Sequence, residues 1–559
     1  MPTISINKAR IEDITKLSIN KVKSLLSHFF EVEETKEALH VEIPANRPDL
    51  VSIYGIARLI KNQQGKSIDY AQFIQKGNFE VYVDKSVKSV RPFTACAVAY
   101  LHFDESRIKE IIEIQENLHR TWGRDRKKIA IGIYPLKQIK WPIYYKALKP
   151  ESIHFIPLGF RTELNGLEIL KEHETGKKYA HLLEGKEKFP VFIDSANQIL
   201  SMPPIINSAL TGRIKPGDEA VFIECSGLNW QAVLSTINLI TIDLIDMGAK
   251  IKKVRLNYAW PLPDGKKKIE TPVLEKKKIK INLEKLNSIL GIKLKTHQIE
   301  KLLKKAGLVL NKNIVEIPAY RTDLLEPIDI AEEIATFYGY ESIKPSLASC
   351  FGFGKADPFF DFQLDLAELL TGLGFVEVKN FCLIPEKEAK LIAKPYLKVK
   401  SKTERNVLRQ SLLPSMLSCL ALNKDKRYPQ LIFEIGKIFD LEKRQNEKCE
   451  IVKEKTMLSF CLAQQKADQT SVIQVLEWLA EQLQLKYELS EIDLNSTYLK
   501  NILIEGRVAE IKINKEQLGL IGEIYPALLS ELNIEMPVAC AEIDLDKLWK
   551  MILNQNKQK

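Results

Sequence analysis

The chain has 559 residues, too many for one hydrophobic core, and this length points to three or four domains. Its 45% hydrophobic and 28% charged residues are an ordinary globular composition. The formal net charge of +10 permits a polyanionic partner such as RNA without requiring one.

The opening MPTISINKAR lacks the apolar core of a secretory signal. The richest apolar stretch, 231–248, is interrupted by Ser235, Thr236, Asn238, Thr241, Asp243 and Asp246, so no membrane span is expected. The eight cysteines, at 96, 225, 350, 382, 419, 449, 461 and 540, form no CxxC pair, which argues against zinc and fits a reducing cytosol.

In chain order, residues 1–85 open with an amphipathic stretch carrying Val22, Leu25, Leu26, Phe29 and Phe30. Ser18 is its N-cap candidate, with the helix running through Phe30. NRPDL (46–50) then predicts a turn, because Pro48 fixes its own φ and pushes Arg47 toward extended geometry. Residues 86–265 form the largest unit. FPVFID (189–194) and EAVFIEC (219–225) read as buried strands. ILSMPPIINS (199–208) has two adjacent prolines and predicts a rigid loop presenting Ser201 and Asn207. Segment 230–247 reads as an amphipathic helix with Val233, Ile237, Ile240 and Leu244 on one side. The Pro- and charge-rich AWPLPDGKKKIETP (259–272) reads as a linker, and the lysine runs KKKI (266–269) and KKKIK (276–280) as solvated.

Residues 270–347 end in EIPAYRTDLLEPIDIAEEIATFYGY (316–340). Pro327 suits the first turn of a helix that stops at Gly339. Asp329, Glu332 and Glu333 lie at i, i+3 and i+4 on one face, with Asp323 just ahead. Four such carboxylates can hold Mg²⁺; equally, acids in a first turn are what the helix dipole favours. This stretch is a repeat. EIPANRPDLVSIYGIARLI (42–60) matches 316–334 at ten of nineteen positions. Opposite Asp329, Glu332 and Glu333 stand Gly55, Arg58 and Leu59, so the fold itself does not need the three acids.

Residues 354–559 alternate helices and strands loosely, as in an antiparallel-sheet domain. DFQLDLAELLTGLGF predicts a helix ending near Gly372 to Gly374, 412–423 a second helix, and LIFEIGKIF (431–439) a strand.

NRPDL with GIAR, and YRTDLLEPIDIAEEIATFYGY, resemble the β subunit of phenylalanyl-tRNA synthetase in its shorter archaeal and eukaryotic-cytosolic form. The resemblance covers essentially the whole chain and implies an α+β multidomain fold. In it a repeated small helix-rich domain (1–85, B1-like; 270–347, B5-like) flanks an editing domain (86–265, B3/B4-like). A catalytic-like class II synthetase domain (354–559) follows. The editing domain of the family hydrolyses tyrosine wrongly attached to tRNA(Phe). Ser201 and Asn207 fall in the SMPPIIN motif, near which the ester is expected. Glu224 stands where relatives commonly carry the Asp that reads the tyrosine hydroxyl. Editing is needed because an apolar pocket rejects an added hydroxyl only about 10²-fold. Active class II relatives carry an Arg two residues before the Glu of their second motif. Here Ile432 precedes Glu434, and no arginine follows Arg507. The resemblance therefore implies no aminoacylation site on this chain, which docks instead on an α subunit that uses ATP, Mg²⁺ and phenylalanine to charge tRNA(Phe). The assembly the resemblance implies is an (αβ)₂ heterotetramer in the cytoplasm. A scaffold or RNA-binding protein of the same architecture is the alternative. A Mg²⁺-dependent phosphohydrolase centred on Asp323 to Glu333 is weaker, since no nucleophile or base motif accompanies the acids.

Overall fold

The computed structural model describes residues 2–347, 352–401, 403–443 and 450–558, so Cys350 and Cys449 lie outside the described residues. The chain divides into two compact units, Met1–Leu347 and Ala348–Lys559.

In the first unit both repeat copies share one topology. The first runs strand Thr3–Asn7, helices Lys8–Thr15 and Ile19–Leu26, strands Val32–Glu34 and Ala38–Glu42, and helix Ile53–Gln63. The second runs strand Lys277–Lys280, helices Leu283–Leu290 and Thr296–Lys305, strands Val309–Asn311 and Ile314–Ile317, and helix Pro327–Tyr338. In each three-stranded sheet the last strand lies in the middle. The matching R-x-D of the two motifs makes the same fork. Arg47 donates to both oxygens of Asp49 at 2.9 and 2.8 Å, and Arg321 to both of Asp323 at 3.0 and 2.7 Å. The copies pack on each other: Asn62 Nδ2 donates to Tyr320 Oη at 3.1 Å, and the Phe29 and Phe337 rings are 5.0 Å apart. The helix expected through Phe30 stops at Leu26, and Ser18 makes no side-chain cap bond.

The ten-stranded sheet between the copies corrects three expectations. Strand Ile74–Val83 pairs in parallel with Lys250–Tyr258 and Ile143–Leu148, so the first domain ends before residue 74 rather than at 85. Lys268–Thr271 pairs with Lys250–Tyr258, so 259–272 is a hairpin rather than a linker, and Trp260 and Leu262 are buried in it. The expected loop 199–208 is also a hairpin. Ile199–Met202 pairs with Phe189–Ile193 and with Ile206–Asn207, the final edge strand, and the two prolines occupy the turn, where the ladder needs no N–H.

Helix Trp230–Asp246 packs on the sheet, but it is buried nearly all round rather than on one side. Its polar residues find partners internally. Thr236 and Thr241 donate to carbonyls four residues back, and Asn238 bonds both Val273 N and O. Asp243 and Asp246 share the buried Arg58 guanidinium at 2.6 and 2.7 Å.

The second unit is a seven-stranded sheet, antiparallel except for its short edge strand Val376–Glu377. Helices Pro358–Gly372, Gln469–Gln482 and Leu545–Gln558 cover one face through Leu366, Leu370, Val472, Leu476, Leu479 and Leu548. Helix Leu413–Leu422 covers the other through Leu413, Met416, Leu417 and Leu420.

Candidate functional site

The strand Ala220–Gly227 lies inside the large sheet, paired with Phe93–Tyr100 and with Ile129–Pro135. This register sets Glu224 opposite Gly132 and Cys96. Glu224 is 2% exposed. Its Oε1 lies 3.2 Å from the Tyr134 hydroxyl, whereas its Oε2 has no hydrogen-bond partner. The same phenol lies 2.7 Å from Ser201 Oγ and 3.4 Å from Asn207 Oδ1. Ser201 and Asn207 face each other across the 199–207 hairpin. All three expected residues therefore gather around Tyr134, at one place.

Glu224 and Asn207 line a cavity of about 500 Å³ whose walls include Ile112, Ile131, Ile133, Pro204 and Ile206. Burial pushes the Glu224 carboxyl up to about 8, against the Tyr134 hydrogen bond and the more distant Arg91 cation. Arg91 spends its donors on Ser226 Oγ and O and on the Arg126 carbonyl. Glu224 is thus a neutral acid near pH 7 with one oxygen that has no protein partner, beside a cavity lined by both apolar side chains and the polar Gln115, Glu116, His119, Arg126 and Arg213.

Sequence reasoning missed Tyr134, Gly132, Glu116, His119 and Arg126. A Cβ on residue 132 would collide with both Tyr134 Oη and Glu224 Oε1, so only glycine admits this arrangement. His119 Nε2 accepts from the Ile131 N–H at 2.8 Å, so Nδ1 carries the proton toward Glu116 Oε1 at 3.1 Å. Burial, working against Glu116, lowers the His119 pKa and keeps the ring neutral. Arg126 donates to Glu116 at 3.0 Å and to the Ile205 carbonyl at 2.9 Å, and lies 4.5 Å from the Tyr179 ring. Arg124, Asp125 and Arg126 all have positive φ, at 50°, 52° and 63°, a strained turn that these contacts hold in place. The strand sequence IAIGIY (129–134) announces burial but no chemistry. The one available signal was its glycine among β-branched residues.

The acidic motif forms the expected helix, with Pro327 in its first turn and Gly339 after its end. Its four carboxylates, however, are each engaged within the chain, two of them by one arginine. Arg321 takes Asp323 through the fork and Glu333 at 2.7 Å. Burial acts upward on Asp323, but the Arg321 fork outweighs it and holds the acid low. Asp329 accepts the amides of Leu325 and Glu326 at 2.7 and 2.8 Å, and Glu332 accepts from Tyr340 Oη at 2.5 Å. Among the described residues no three His, Cys, Asp or Glu side chains come together in a group that could hold a metal ion. As held here, Asp323, Asp329, Glu332 and Glu333 do not fit one Mg²⁺ site. The physical reason is Arg321, a cation already in place between two of the acids.

In the second unit Ile432 stands where a phosphate-binding arginine was expected to be absent. Glu434 beside it is engaged by Arg409 at 2.6 Å and Asn380 at 2.7 Å. Glu542, on a neighbouring part of the sheet, accepts from Ser411, the Leu412 amide and Tyr498. Arg507, the last arginine, is exposed and paired with Glu523 at 2.6 Å.

Two family models match the chain: the phenylalanyl-tRNA synthetase β-chain CLM domain over residues 346–545, and the tRNA synthetase B5 domain over 279–340. The phenylalanine–tRNA ligase β subunit of Thermococcus sibiricus is 34% identical over 522 residues, 90% of each chain. That of Pyrococcus horikoshii is 33% identical over 577 residues, covering 98% of this chain and all of the relative. A crystal structure of an N-terminal fragment of the P. horikoshii phenylalanyl-tRNA synthetase β subunit superposes with a TM-score of 0.56 at 34% identity, over 61% of this chain and all of the fragment. No helix among the described residues is long and apolar enough to cross a membrane. With relatives above 30% identity matched over nearly their whole length, the chain belongs to the phenylalanine–tRNA ligase β-subunit family.

Proposed function

We propose that this chain is the editing and assembly subunit of a cytoplasmic phenylalanine–tRNA ligase. An α subunit, with ATP and Mg²⁺, attaches phenylalanine to tRNA(Phe). This chain removes tyrosine attached in error, and the two assemble as (αβ)₂. The observation that carries the reading is Glu224, whose side chain lines a cavity of about 500 Å³ and whose buried Oε2 has no protein partner. A tyrosyl group offers that oxygen a phenolic proton; a phenylalanyl group shuts it off from water and offers nothing. Leaving one buried acceptor unpaired costs about 1–3 kcal/mol, a discrimination of about 5- to 150-fold. The ester then lies toward the cavity opening, where the tRNA end enters.

The second unit acts in this reading as a docking domain. Ile432 and the arginine-free segment after Arg507 offer no fork for a nucleotide phosphate, and preorganised cations dominate such chemistry. Glu434 and Glu542 are consumed by internal partners, which supports a packed face over an active one. No magnesium site is assigned to this chain; Mg²⁺ belongs with ATP on the α subunit.

The test uses the assembled αβ complex and tRNA(Phe) mischarged with tyrosine. Glu224→Ala should abolish deacylation of tyrosyl-tRNA while phenylalanine charging persists. Deacylation at the wild-type rate by this variant would remove Glu224 from the site.

A further inference from the structure

Tyr134 is fully buried, and its hydroxyl has one proton for three nearby oxygens. The contact to Ser201 Oγ is the shortest, at 2.7 Å, so the proton goes there. Glu224 Oε1 lies 3.2 Å from the same hydroxyl, within hydrogen-bond reach, so the carboxyl is tied to the phenol as well. A continuous chain runs from Glu224 Oε1 through Tyr134 to Ser201. It occupies Oε1 completely and leaves Oε2 without a protein partner. Gly132 provides the space in which the Tyr134 hydroxyl and the carboxyl meet.

We propose, resting on the deacylation reading above, that Tyr134 is the positioning residue that sets amino-acid specificity in this cavity: it ties Glu224 Oε1 to Ser201 and so presents Oε2 as the acceptor for a phenolic hydroxyl. Without the phenol, the carboxyl is free to rotate about its last bond and to satisfy either oxygen with Ser201 or Asn207. The hydroxyl of a bound tyrosyl group would then meet a carboxyl already spent. A phenylalanyl group never uses Oε2, so the loss of Tyr134 should matter to tyrosine alone. The longer side chain of glutamate suits this device, because the carboxyl reaches over Gly132 to Tyr134 on the adjacent strand.

The experiment compares two substrates on the αβ complex, tyrosyl-tRNA(Phe) and phenylalanyl-tRNA(Phe), in single-turnover deacylation with excess enzyme. Tyr134→Phe removes one oxygen and keeps the ring. Its rate on tyrosyl-tRNA should fall about 10- to 100-fold, mainly through weaker binding, as expected for losing a hydrogen bond to a carboxyl. Its slow rate on phenylalanyl-tRNA should stay within about twofold. Gly132→Ala, which drives a methyl group between Tyr134 and Glu224, should give the same selective loss and serves if Tyr134→Phe fails to assemble. An equal loss on both substrates, or no loss on either, overturns the role of Tyr134 while leaving the deacylation reading intact. Failure of the wild-type complex to hydrolyse tyrosyl-tRNA overturns the deacylation reading, and the inference with it.

Discussion

Replacing Glu224 by Gln should make the protein's stability at alkaline pH higher, and by an amount that grows with pH. The carboxyl has an ordinary pKa of 4.5 and is held at about 8 in the fold, with burial as the main cause. The sign follows from proton binding. Between pH 4.5 and 8 the folded chain keeps a proton that the unfolded chain has released, so the stability this group contributes falls as pH rises through that window and is gone above it. At about 1.4 kcal/mol per pH unit, complete ionisation costs roughly 5 kcal/mol, an upper bound because water entering the cavity solvates the anion. The groups around Glu224 do not titrate in this range. Cys96 and Tyr134 are pushed well above their usual values by burial, as are Cys225 and Tyr145, and Arg91 stays a cation. Glutamine keeps the shape and a hydrogen-bonding group beside Tyr134 but cannot ionise. Calorimetric melts of wild type and Glu224→Gln from pH 5 to pH 9 isolate the effect, since other titrations cancel in the difference. The two should diverge steadily with pH, the variant melting higher at pH 9. A difference that stays constant from pH 5 to pH 9 would refute the neutral-acid assignment.

Three further outcomes are expected. Asp329→Ala removes the acceptor for two amides at a helix start and should lower stability by about 1 kcal/mol at every Mg²⁺ concentration; a loss seen only with Mg²⁺ present would restore the cation site. Arg321→Met strands Asp323 and Glu333 in the interior and should cost about 3–5 kcal/mol, partly recovered by adding Glu333→Gln; an unchanged melting temperature contradicts it. The purified chain without an α subunit should show no phenylalanine-dependent ATP–pyrophosphate exchange, and robust exchange would overturn its assignment as a docking and editing subunit.

The repeat was legible because its two motifs keep the same fork, and a bidentate Arg–Asp pair two residues apart needs only local sequence. The strands carrying Glu224 and the helix ends around Pro327 and Gly339 were legible for the same local reason. What failed depended on long-range partners. Helix Trp230–Asp246 looked one-sided because its threonines and Asp243 are polar, yet they satisfy backbone carbonyls and Arg58 out of sight of water. The acids of 323–333 do lie at helical spacing, but Arg321, in plain view two residues before Asp323, had already claimed two of them. Tyr134 joins Ser201 and Glu224 across 67 and 90 residues, a juxtaposition that sheet order creates and no sequence period records.

Three buried glutamates show what separates a site from a core. Glu434 has Arg409 and Asn380, one for each oxygen. Glu542 has Ser411, the Leu412 amide and Tyr498, and again neither oxygen is idle. Both are as costly to bury as Glu224, and both are repaid by hydrogen bonds within the unit. Glu224 has one filled oxygen and one empty. A core that needed only a buried strand at this position would be more stable with leucine or glutamine there. Under the proposed editing role, the oxygen without a protein partner is the acceptor for a ligand that carries its own proton, which a tyrosyl group does and a phenylalanyl group does not.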